Sequence, residues 1–378
     1  MKNFDDAPFL VIWELTQACD LACVHCRACA IESRSPLELT TGEGFRLLEE
    51  VRSFGDPLMV FTGGDPLKRP DLFSLLEKSV QFGLRTTVTP SATPLLTESA
   101  IEQFQNCGVA RMAISLDGPD AESHDGFRRV SGSFDRTIRA LEHAQQIGLQ
   151  TQVNTTVTRH NIHRLGEIAK LVERAGAKLW SVFFLVATGR ASVSQDLTAE
   201  EYEEVFAFLY SLSKSVPFDI KTTEAQHYRR YVAQRRKAEG GTARQTGPEI
   251  IQRQAGINDG KGFVFVSHTG EIYPSGFLPL AAGNIRRDKL TTVYRESPLF
   301  RTLRNADNLG GKCGECEYRN LCGGSRSRSY ALTGDFLAEE ARCVYEPRVL
   351  HDGRRNTNRT SLPLPGALPL VQLRTARV

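Results

Sequence analysis

Short, β-rich apolar runs alternate along the first 215 residues with segments in which apolar positions recur at helical spacing. The runs predict six strands, at residues 9–13, 58–61, 85–88, 110–115, 151–157 and 180–185. The segments between them predict six helices, at residues 41–53, 72–82, 98–106, 133–147, 162–175 and 200–211. The first half of the chain is therefore predicted to be an α/β unit built from strand–helix repeats.

Polar residues that can cap a helix precede five of these segments. The candidate caps are Thr40, Asp71, Thr97, Ser131 and Asn161. Six strand–helix repeats predict a parallel sheet with right-handed helical crossovers, either doubly wound or closed into a barrel. In both architectures the loops after the carboxyl ends of the strands build the active site.

The pattern changes at about Pro217. Two short runs at residues 263–267 and 271–273 flank the turn His268-Thr269-Gly270 and predict a hairpin in a smaller α+β domain. From residue 348 onward the chain has neither a helical nor a strand period, which is typical of a mobile tail. We therefore predict domains at residues 1–215 and 216–347, followed by a tail at 348–378.

Composition narrows the classes of function. The 378 residues are 40% hydrophobic and 24% charged, and the net charge of +3 gives no support for nucleic acid as the main partner. No apolar run is long enough to span a bilayer. The acidic N-terminus lacks the apolar stretch of a secretory signal, so a cytoplasmic enzyme is expected.

Nine cysteines carry the candidate chemistry. Disulfides are disfavoured in the cytoplasm, so clustered cysteines there are typical of metal sites. Eight of the nine fall into two sets, one near the start of the chain and one near its end. Cys107 is isolated and is interpreted as a small buried hydrophobe.

The first set has the spacing C-x3-C-x2-C on Cys19, Cys23 and Cys26, directly after the first predicted strand. Three thiolates can hold three irons of a [4Fe–4S] cluster and leave the fourth open for a ligand. Two alternatives remain at this point. Cys29 extends the set to a ferredoxin-like C-x2-C-x2-C run, and His25 makes a zinc site possible.

A glycine-rich turn follows the second predicted strand: Gly63, Gly64, Asp65 and Pro66. Two glycines let the backbone approach a ligand closely, and an acidic residue with backbone carbonyls suits a ligand's ammonium group. Taken alone, the same four residues favour a plain turn.

Polar residues also follow or lie on later strands. Ser115 and Asp117 follow the fourth strand and could hold ribose hydroxyls or cap a turn. Asn154, on the fifth strand, could project an amide into the barrel or be a satisfied core group. Gly189 and Arg190 follow the sixth strand, either near a nucleoside or in a surface loop.

The order of these motifs on successive strand ends resembles the radical S-adenosylmethionine (SAM) superfamily. Its cluster motif matches Cys19, Cys23, His25 and Cys26, and its Gly-Gly-Glu-Pro motif matches residues 63–66 with Asp for Glu. Ser115 and Asp117 match its ribose contacts, and Asn154 its fifth-strand polar residue. The resemblance covers roughly residues 9–215 and implies a partial (β/α)6 TIM-type barrel. It also implies that SAM contacts the residues of these motifs together with Gly189, and that Cys29 is not a cluster ligand.

The second set has the spacing C-x2-C-x5-C on Cys313, Cys316 and Cys322, with Cys343 as a distant fourth member. Four thiolates make a closed site without an open coordination position. Such a site is either structural zinc or a fully ligated [4Fe–4S] cluster, and the spacing alone slightly favours zinc.

This region resembles the SPASM extension that follows many radical SAM barrels. Ser275 and Arg326 stand where the extension usually has cysteines of a first auxiliary cluster. The resemblance therefore implies a small α+β SPASM-like iron–sulfur domain with one auxiliary [4Fe–4S] cluster, held by Cys313, Cys316, Cys322 and Cys343.

The segment after Cys322 resembles the group that contains the alternative haem-biosynthesis decarboxylase and the haem d1 synthase. This implies a low-potential electron donor of the flavodoxin or ferredoxin type. It also implies a 5′-deoxyadenosyl radical that abstracts hydrogen from a tetrapyrrole whose propionates are cut or decarboxylated.

Candidate anchors for anionic side chains are Arg190, Lys221, Tyr228, Arg229 and Arg230, although residues 228–231 could equally be a solvated helix face. His268 could contact the substrate, but a turn histidine is the simpler interpretation.

Two other functions remain possible. A maturase acting on a ribosomally made peptide is the runner-up, disfavoured because such enzymes commonly carry an added N-terminal recognition domain and the barrel here begins almost at once. An iron–sulfur or zinc carrier is the non-enzyme alternative, and it would not need the Gly-Gly-Asp-Pro loop.

Overall fold

A computed structural model describes residues 3–240 and 256–348. Their strands form one sheet, with the members β1 (Leu10–Glu14), β2 (Leu58–Thr62), β3 (Arg85–Val88), β4 (Arg111–Ser115), β5 (Thr151–Val157), β6 (Leu179–Phe184), β7 (Asp219–Thr223), β8 (Phe263–Val266), β9 (Glu271–Tyr273) and β10 (Gly283–Asn284). The order across the sheet is β10-β9-β8-β1-β2-β3-β4-β5-β6-β7. From β8 through β1 to β7 every neighbouring pair is parallel, while β9 and β10 are antiparallel additions.

Helices lie between successive parallel strands and, in the second region, after β10. They are α1 (Thr41–Arg52), α2 (Leu72–Gln81), α3 (Glu98–Asn106), α4 (Ala121–Arg128), α5 (Ser133–Gln146), α6 (Leu165–Arg174), α7 (Ala199–Leu212), α8 (His227–Ala238), α9 (Leu290–Glu296), α10 (Pro298–Arg304), α11 (Gly311–Glu315) and α12 (Arg326–Thr333). Short 3-10 turns occupy Pro66–Lys68, Ile162–Arg164, Val193–Gln195 and Ala306–Asn308. The partial (β/α) barrel predicted from the sequence is confirmed.

The alternation of side chains along the strands decides which residues can reach the barrel interior. In β5, Val153 and Val157 are fully buried in the core against the helices, whereas Asn154 and Thr156 point to the other face and are half-buried. In β1, Trp13 lies on the helix side, where a side chain at Gly44 of α1 would come within 2.6 Å of the indole. Because a strand repeats every two residues, the intervening polar positions face the interior.

The predicted caps are only partly realised. Thr40 and Thr97 accept hydrogen bonds from the first turns of α1 and α3. Asp71 and Asn161 make no side-chain cap. Ser131 is not the cap of α5, because that position is occupied by Gly132, which has a positive φ of 75°.

Up to residue 223, the sequence patterns missed one helix and one strand. Helix α4 is short, with only His124 and Phe127 buried, so its apolar period is too brief to recognise. Strand β7 continues the parallel sheet beyond β6, just after the point where the pattern was expected to change.

The predicted hairpin exists as β8 and β9, but β8 also pairs in parallel with β1. The second region therefore extends the sheet of the first. The domain division at residue 215 remains a prediction. Apart from Arg348, the predicted tail lies outside the described residues. Within residues 3–240 and 256–348, no helix combines the length and apolar character needed to cross a bilayer.

Candidate active site

The loop between β1 and α1 carries the first cysteine set. Cys19 and Cys23 are buried and Cys26 is half-buried. The backbone N–H of Leu21 donates to Cys19 Sγ and that of Ala30 donates to Cys26 Sγ, each at 3.4 Å. Such bonds favour a negatively charged sulfur, the form that binds iron. Burial acts the other way and outweighs them at Cys19, so the pKa of that thiol is raised to about 11. A bound cation is therefore needed to hold the thiolate.

These cysteines open onto a cavity of about 240 Å³ at the carboxyl ends of the strands, here called the first cavity. The predicted site residues among its lining are Cys19, Cys23, Cys26, His25, Gly63, Gly64, Ser115 and Asn154. Asp65, Pro66, Asp117 and Gly189 are not part of the lining. The structure thus brings eight of the predicted residues from four separate chain segments to one surface.

Gly63 and Gly64 pack directly on the backbone of the cysteine loop. A Cβ atom on Gly63 would lie 2.7 Å from the Thr16 carbonyl oxygen, and one on Gly64 would lie 2.6 Å from that of Gln17. The N–H groups of Gly64 and Asp65 donate to the carbonyls of Thr16 and Ala18, each at 2.7 Å. A side chain at either glycine would push the two loops apart.

Asp65 supports this turn from behind. Its carboxylate accepts hydrogen bonds from Thr93 Oγ1 at 2.7 Å and from the Leu67 N–H at 3.2 Å. Burial raises the pKa of the fully buried Asp65. The side chain therefore holds the glycine turn in shape, while the glycines themselves line the cavity.

Ser115 and Asn154 lie opposite each other in the register of β4 and β5. Both are half-buried and face the cavity. Asn154 Oδ1 accepts a hydrogen bond from Gln152 at 2.7 Å. This pair fits a ligand with hydroxyl groups.

Asp117, two residues after Ser115, is fully buried. Its carboxylate accepts the Thr156 N–H at 2.7 Å and forms an ion pair with Arg128. Arg128 lines the cavity in its place, with Nη1 3.5 Å from Cys23 Sγ. Its buried Nε atom has no hydrogen-bond partner. Sequence reasoning missed Arg128, since an arginine at the end of an unrecognised helix has no motif of its own.

His25 stacks on Phe127, with ring centroids 4.4 Å apart. Burial lowers the pKa of His25 well below its usual value, and the nearby Arg128 and Arg190 guanidinium groups lower it further. The ring is therefore neutral, and its buried Nδ1 atom has no hydrogen-bond partner.

Gly189 packs closely against the backbone of the cysteine loop. Its φ is +63°, and a Cβ atom there would collide with the carbonyl oxygens of Cys26 and Arg27. The next N–H, that of Arg190, donates to the Cys26 carbonyl at 3.0 Å. Only glycine meets both requirements without strain.

The second cysteine set surrounds a smaller cavity of about 30 Å³, here called the second cavity. Cys313, Cys316, Cys322 and Cys343 line it together with His227. Backbone N–H groups donate to three of the four sulfurs: Glu340 to Cys313 at 3.3 Å, and Tyr318 to Cys316 and Gly324 to Cys322 at 3.4 Å.

Two buried guanidinium groups also approach the second set. Arg230 lies 3.9 Å from Cys343 Sγ, and Arg326 lies 4.0 Å from Cys313 Sγ. Positive charge and N–H donors at the sulfurs are what an anionic metal–thiolate cluster needs. Within the described residues, no group of three or more His, Cys, Asp or Glu side chains is placed to hold a metal ion in the manner of a mononuclear site.

Comparison with known proteins identifies the family. The sequence profile of the radical SAM superfamily matches residues 13–172. An AdoMet-dependent haem synthase of Oleidesulfovibrio alaskensis is 43% identical over 343 residues, which cover 90% of this chain and 88% of the relative. An AdoMet-dependent haem synthase of Methanosarcina barkeri is 40% identical over 349 residues, covering 92% of this chain and 99% of the relative.

The fold agrees. The crystal structure of Streptococcus suis SuiB bound to S-adenosylmethionine matches with a TM-score of 0.69 at 16% identity, covering 90% of this chain and 78% of that one. The chain belongs to the radical SAM superfamily. As a radical SAM enzyme it uses SAM and a [4Fe–4S] cluster, and the first cavity has the thiolates and the glycine turn that this pair requires.

Three further positions of this radical SAM enzyme bear on the assignment of the cluster ligands. Cys29 is exposed, has a strained φ of 48° and is not part of the first cavity. Ser275, at one of the missing auxiliary-cluster positions, is buried and 3.4 Å from Ser327 Oγ. Arg326, at the other, donates to the carbonyls of Phe336 and Ala338. Hydrogen-bonded side chains thus fill the positions at which the extension usually has cysteines.

The proposed substrate anchors have other partners. Tyr228 is packed in the core, Arg229 donates to the Ile257 carbonyl at 2.7 Å, and Arg230 pairs with Glu203. The helix face at residues 228–231 is therefore not solvated. His268 Nδ1 lies 3.1 Å from Glu14. Neither these residues nor Lys221 and Arg190 line the first cavity.

Proposed function

We propose that this radical SAM enzyme decarboxylates propionate side chains of a haem-type tetrapyrrole. The observation that carries the proposal is the convergence of Cys19, Cys23 and Cys26 with the Gly63–Gly64 turn on one cavity. The substrate class is supported by relatives named haem synthases at 40–43% identity over nine tenths of the chain.

The residues around the first cavity fit both cofactors. Cys19, Cys23 and Cys26 would hold three irons of the cluster, leaving one iron for SAM. The carbonyls of the glycine turn suit the ammonium group of SAM, Arg128 suits its carboxylate, and Ser115 and Asn154 suit ribose hydroxyls. When bound, cluster and SAM together supply a 5′-deoxyadenosyl radical. His25, Asp65, Pro66, Asp117 and Gly189 would contribute by shaping these subsites.

Part of the wall of the first cavity is apolar. Its members include Leu21, Ala92, Phe183, Phe184, Leu185, Val186 and Phe277. A wall of this kind excludes water from a radical and offers contact area to the flat, apolar ring of a tetrapyrrole.

The chemistry of the substrate sets a further requirement. Removal of one hydrogen atom from the propionate leaves a carbon radical beside the CH2–COO⁻ group. Loss of CO2 then forms a vinyl group and releases one electron. The enzyme must therefore supply an electron acceptor.

The second cysteine set is the candidate acceptor site. Four half-buried cysteines, three of them with backbone N–H donors, and two nearby guanidinium groups suit an auxiliary [4Fe–4S] cluster on Cys313, Cys316, Cys322 and Cys343. A low-potential donor of the flavodoxin or ferredoxin type would reduce the first cluster. None of the nine cysteines forms a disulfide, which suits a reducing cytoplasm.

Iron analysis and SAM cleavage test the proposal. Anaerobically reconstituted enzyme is expected to bind about eight irons per chain if both sites hold [4Fe–4S] clusters. Cys19, Cys23 and Cys26 changed together to Ala should halve the iron and abolish 5′-deoxyadenosine formation. Stoichiometric zinc without iron in the native protein would contradict the proposal.

A further inference from the structure

A file of aromatic rings runs from the first cavity to the second. Phe184, on β6, lines the first cavity. Its ring centroid is 4.6 Å from that of Tyr202 on α7, and Tyr202 is in turn 5.3 Å from His227 at the start of α8. His227 lines the second cavity, beside the four cysteines. We call these three rings the ring relay.

The relay is buried along its whole length. Tyr202 and His227 are fully buried and Phe184 is nearly so. The Tyr202 hydroxyl donates to Asp196 Oδ1 at 3.1 Å, and the Arg328 guanidinium lies 5.0 Å from its ring centroid. These contacts fix the central ring, which stacks on His227 with an interplanar angle of 21°.

His227 is difficult to explain as a packing residue. Neither of its ring nitrogens makes a hydrogen bond of acceptable geometry, although both are buried. Leaving a buried polar group without a partner costs free energy that a phenylalanine or leucine at this position would avoid. A ring that lines the second cavity would instead have a function if it contacts the cluster bound there.

A chain of hydrogen bonds connects the same two cavities. Arg328 Nη2 donates at 3.2 Å to the carbonyl of Leu185, a residue of the first cavity. Arg328 Nη1 binds Glu340 at 3.0 Å, and the Glu340 N–H donates to Cys313 Sγ at 3.3 Å. Both Arg328 and Glu340 are fully buried. Two rigid connections thus join the apolar cavity wall to the second cysteine set.

We propose that Phe184, Tyr202 and His227 form the path by which the electron released from the substrate reaches the second site. This rests on the proposed function. The substrate radical loses CO2 and one electron and becomes the vinyl product. An auxiliary [4Fe–4S] cluster held by Cys313, Cys316, Cys322 and Cys343 would accept that electron, and no proton needs to move along the path. Rings in contact shorten the gaps that the electron must cross, so they act as positioning residues for electron transfer.

Matched substitutions test the ring contacts. Tyr202→Phe keeps the ring and removes only the hydroxyl group, whereas Tyr202→Leu removes the ring. His227→Phe and His227→Leu make the same comparison at the other end. Each variant is reconstituted anaerobically as the holoenzyme. Iron content and the midpoint potentials of both clusters are measured first, because a purely structural role would change these.

Single turnovers with SAM and an iron tetrapyrrole then give two readouts. They are the rate at which the second cluster's reduced EPR signal appears and the ratio of vinyl product to 5′-deoxyadenosine. With normal iron and potentials, both leucine variants should lower both readouts by about tenfold or more. Both phenylalanine variants should remain near the wild type.

Each of the following outcomes would contradict the proposed electron path. A leucine variant with normal clusters and a normal product ratio shows that the electron takes another route. A phenylalanine variant as impaired as its leucine partner shows that the polar groups matter and the ring contacts do not. Loss of the second cluster in both leucine variants shows that the rings serve its stability. If the wild type itself forms no vinyl product, the proposed function fails, which is distinct from failure of the relay alone.

Discussion

The Arg128 guanidinium lies 3.5 Å from Cys23 Sγ and also binds the Asp117 carboxylate. This joins the cysteine loop after β1 to the loop after β4. Burial lowers the pKa of Arg128, but the negative charges of Asp117 and Cys23 outweigh it and hold the pKa above its usual range. A permanent cation therefore stands at the edge of the first cavity, with Asp117 fixing its orientation.

Arg128→Gln should weaken SAM binding by about tenfold or more, because it removes the charge-assisted contact that we propose for the SAM carboxylate. Isothermal titration with the anaerobic holoenzyme measures the affinity. Removing one partner of a buried ion pair also costs about 3–5 kcal/mol of stability.

The double variant Arg128→Gln/Asp117→Asn separates the two effects. It removes both charges, so it should regain much of the lost stability without regaining SAM affinity. An Arg128→Gln protein that is folded and binds SAM like the wild type would show that Arg128 serves only the structure.

Gly64→Ala should disrupt the first cluster, since the added Cβ would meet the Gln17 carbonyl at 2.6 Å and displace the cysteine loop. The expected result is loss of up to half of the iron and of SAM cleavage, measured by iron assay and 5′-deoxyadenosine formation.

Gly42→Ala is the matched control. It lies in α1 with no atom within 4 Å of the new methyl group, and should leave iron content unchanged while stabilising the helix by up to about 1 kcal/mol. Equal iron in the Gly64 and Gly42 variants would mean that the two loops need not touch.

The first cavity illustrates how far sequence reasoning reaches. Gly63 and Ser115 were predicted because they follow or end a strand, and the carboxyl ends of parallel strands meet at one edge. Asn154 was predicted as a polar residue on a strand that could project into the barrel. The sequence could not separate residues that line the cavity from those one position behind them. Asp65 and Asp117 are an example: both follow strands, yet neither lines the cavity. The Asp65 carboxylate binds Thr93, and that of Asp117 binds the N–H of Thr156 on β5.

Cys29→Ala should leave iron content and SAM cleavage unchanged, because the Cys29 side chain is exposed and not part of the first cavity. Cys316→Ala should lose up to half of the iron and all product formation while keeping some SAM cleavage. Circular dichroism must first show that each variant is folded. Loss of the SAM-binding cluster in Cys29→Ala would overturn the ligand assignment.

The buried Glu224 side chain should make the stability of the folded protein depend on pH. Burial raises its pKa to about 8, and the neighbouring Asp259 carboxyl adds to this effect. An unfolded glutamate has a pKa of about 4.3, so between these pH values only the folded chain binds the proton. Through this group, stability falls as pH rises across that interval.

Glu224→Gln mimics the protonated side chain and should remove this contribution. The melting temperature of the wild type should fall more between pH 6 and pH 8 than that of Glu224→Gln. The exposed Glu122→Gln on α4 serves as the control and should follow the wild type. A parallel fall in all three proteins would mean that Glu224 does not titrate in this range.

The second region was harder to predict for a physical reason. The cysteine spacing predicted a closed metal site. The pairing of β8 with β1, however, depends on contacts between residues some 250 positions apart, such as Leu10 with Phe263. Local periodicity carries no information about such pairing. The burial of Arg230 likewise follows from Glu203 on a different helix.

The most direct test of the central claim is transfer of a labelled hydrogen. Anaerobic enzyme is given SAM, a reduced flavodoxin and an iron tetrapyrrole whose propionates carry deuterium. Mass spectrometry then follows 5′-deoxyadenosine and the porphyrin together. We predict deuterium in 5′-deoxyadenosine and a matching loss of CO2 that leaves vinyl groups. Formation of unlabelled 5′-deoxyadenosine with an unchanged tetrapyrrole, by an enzyme that carries both clusters, would contradict the proposed function.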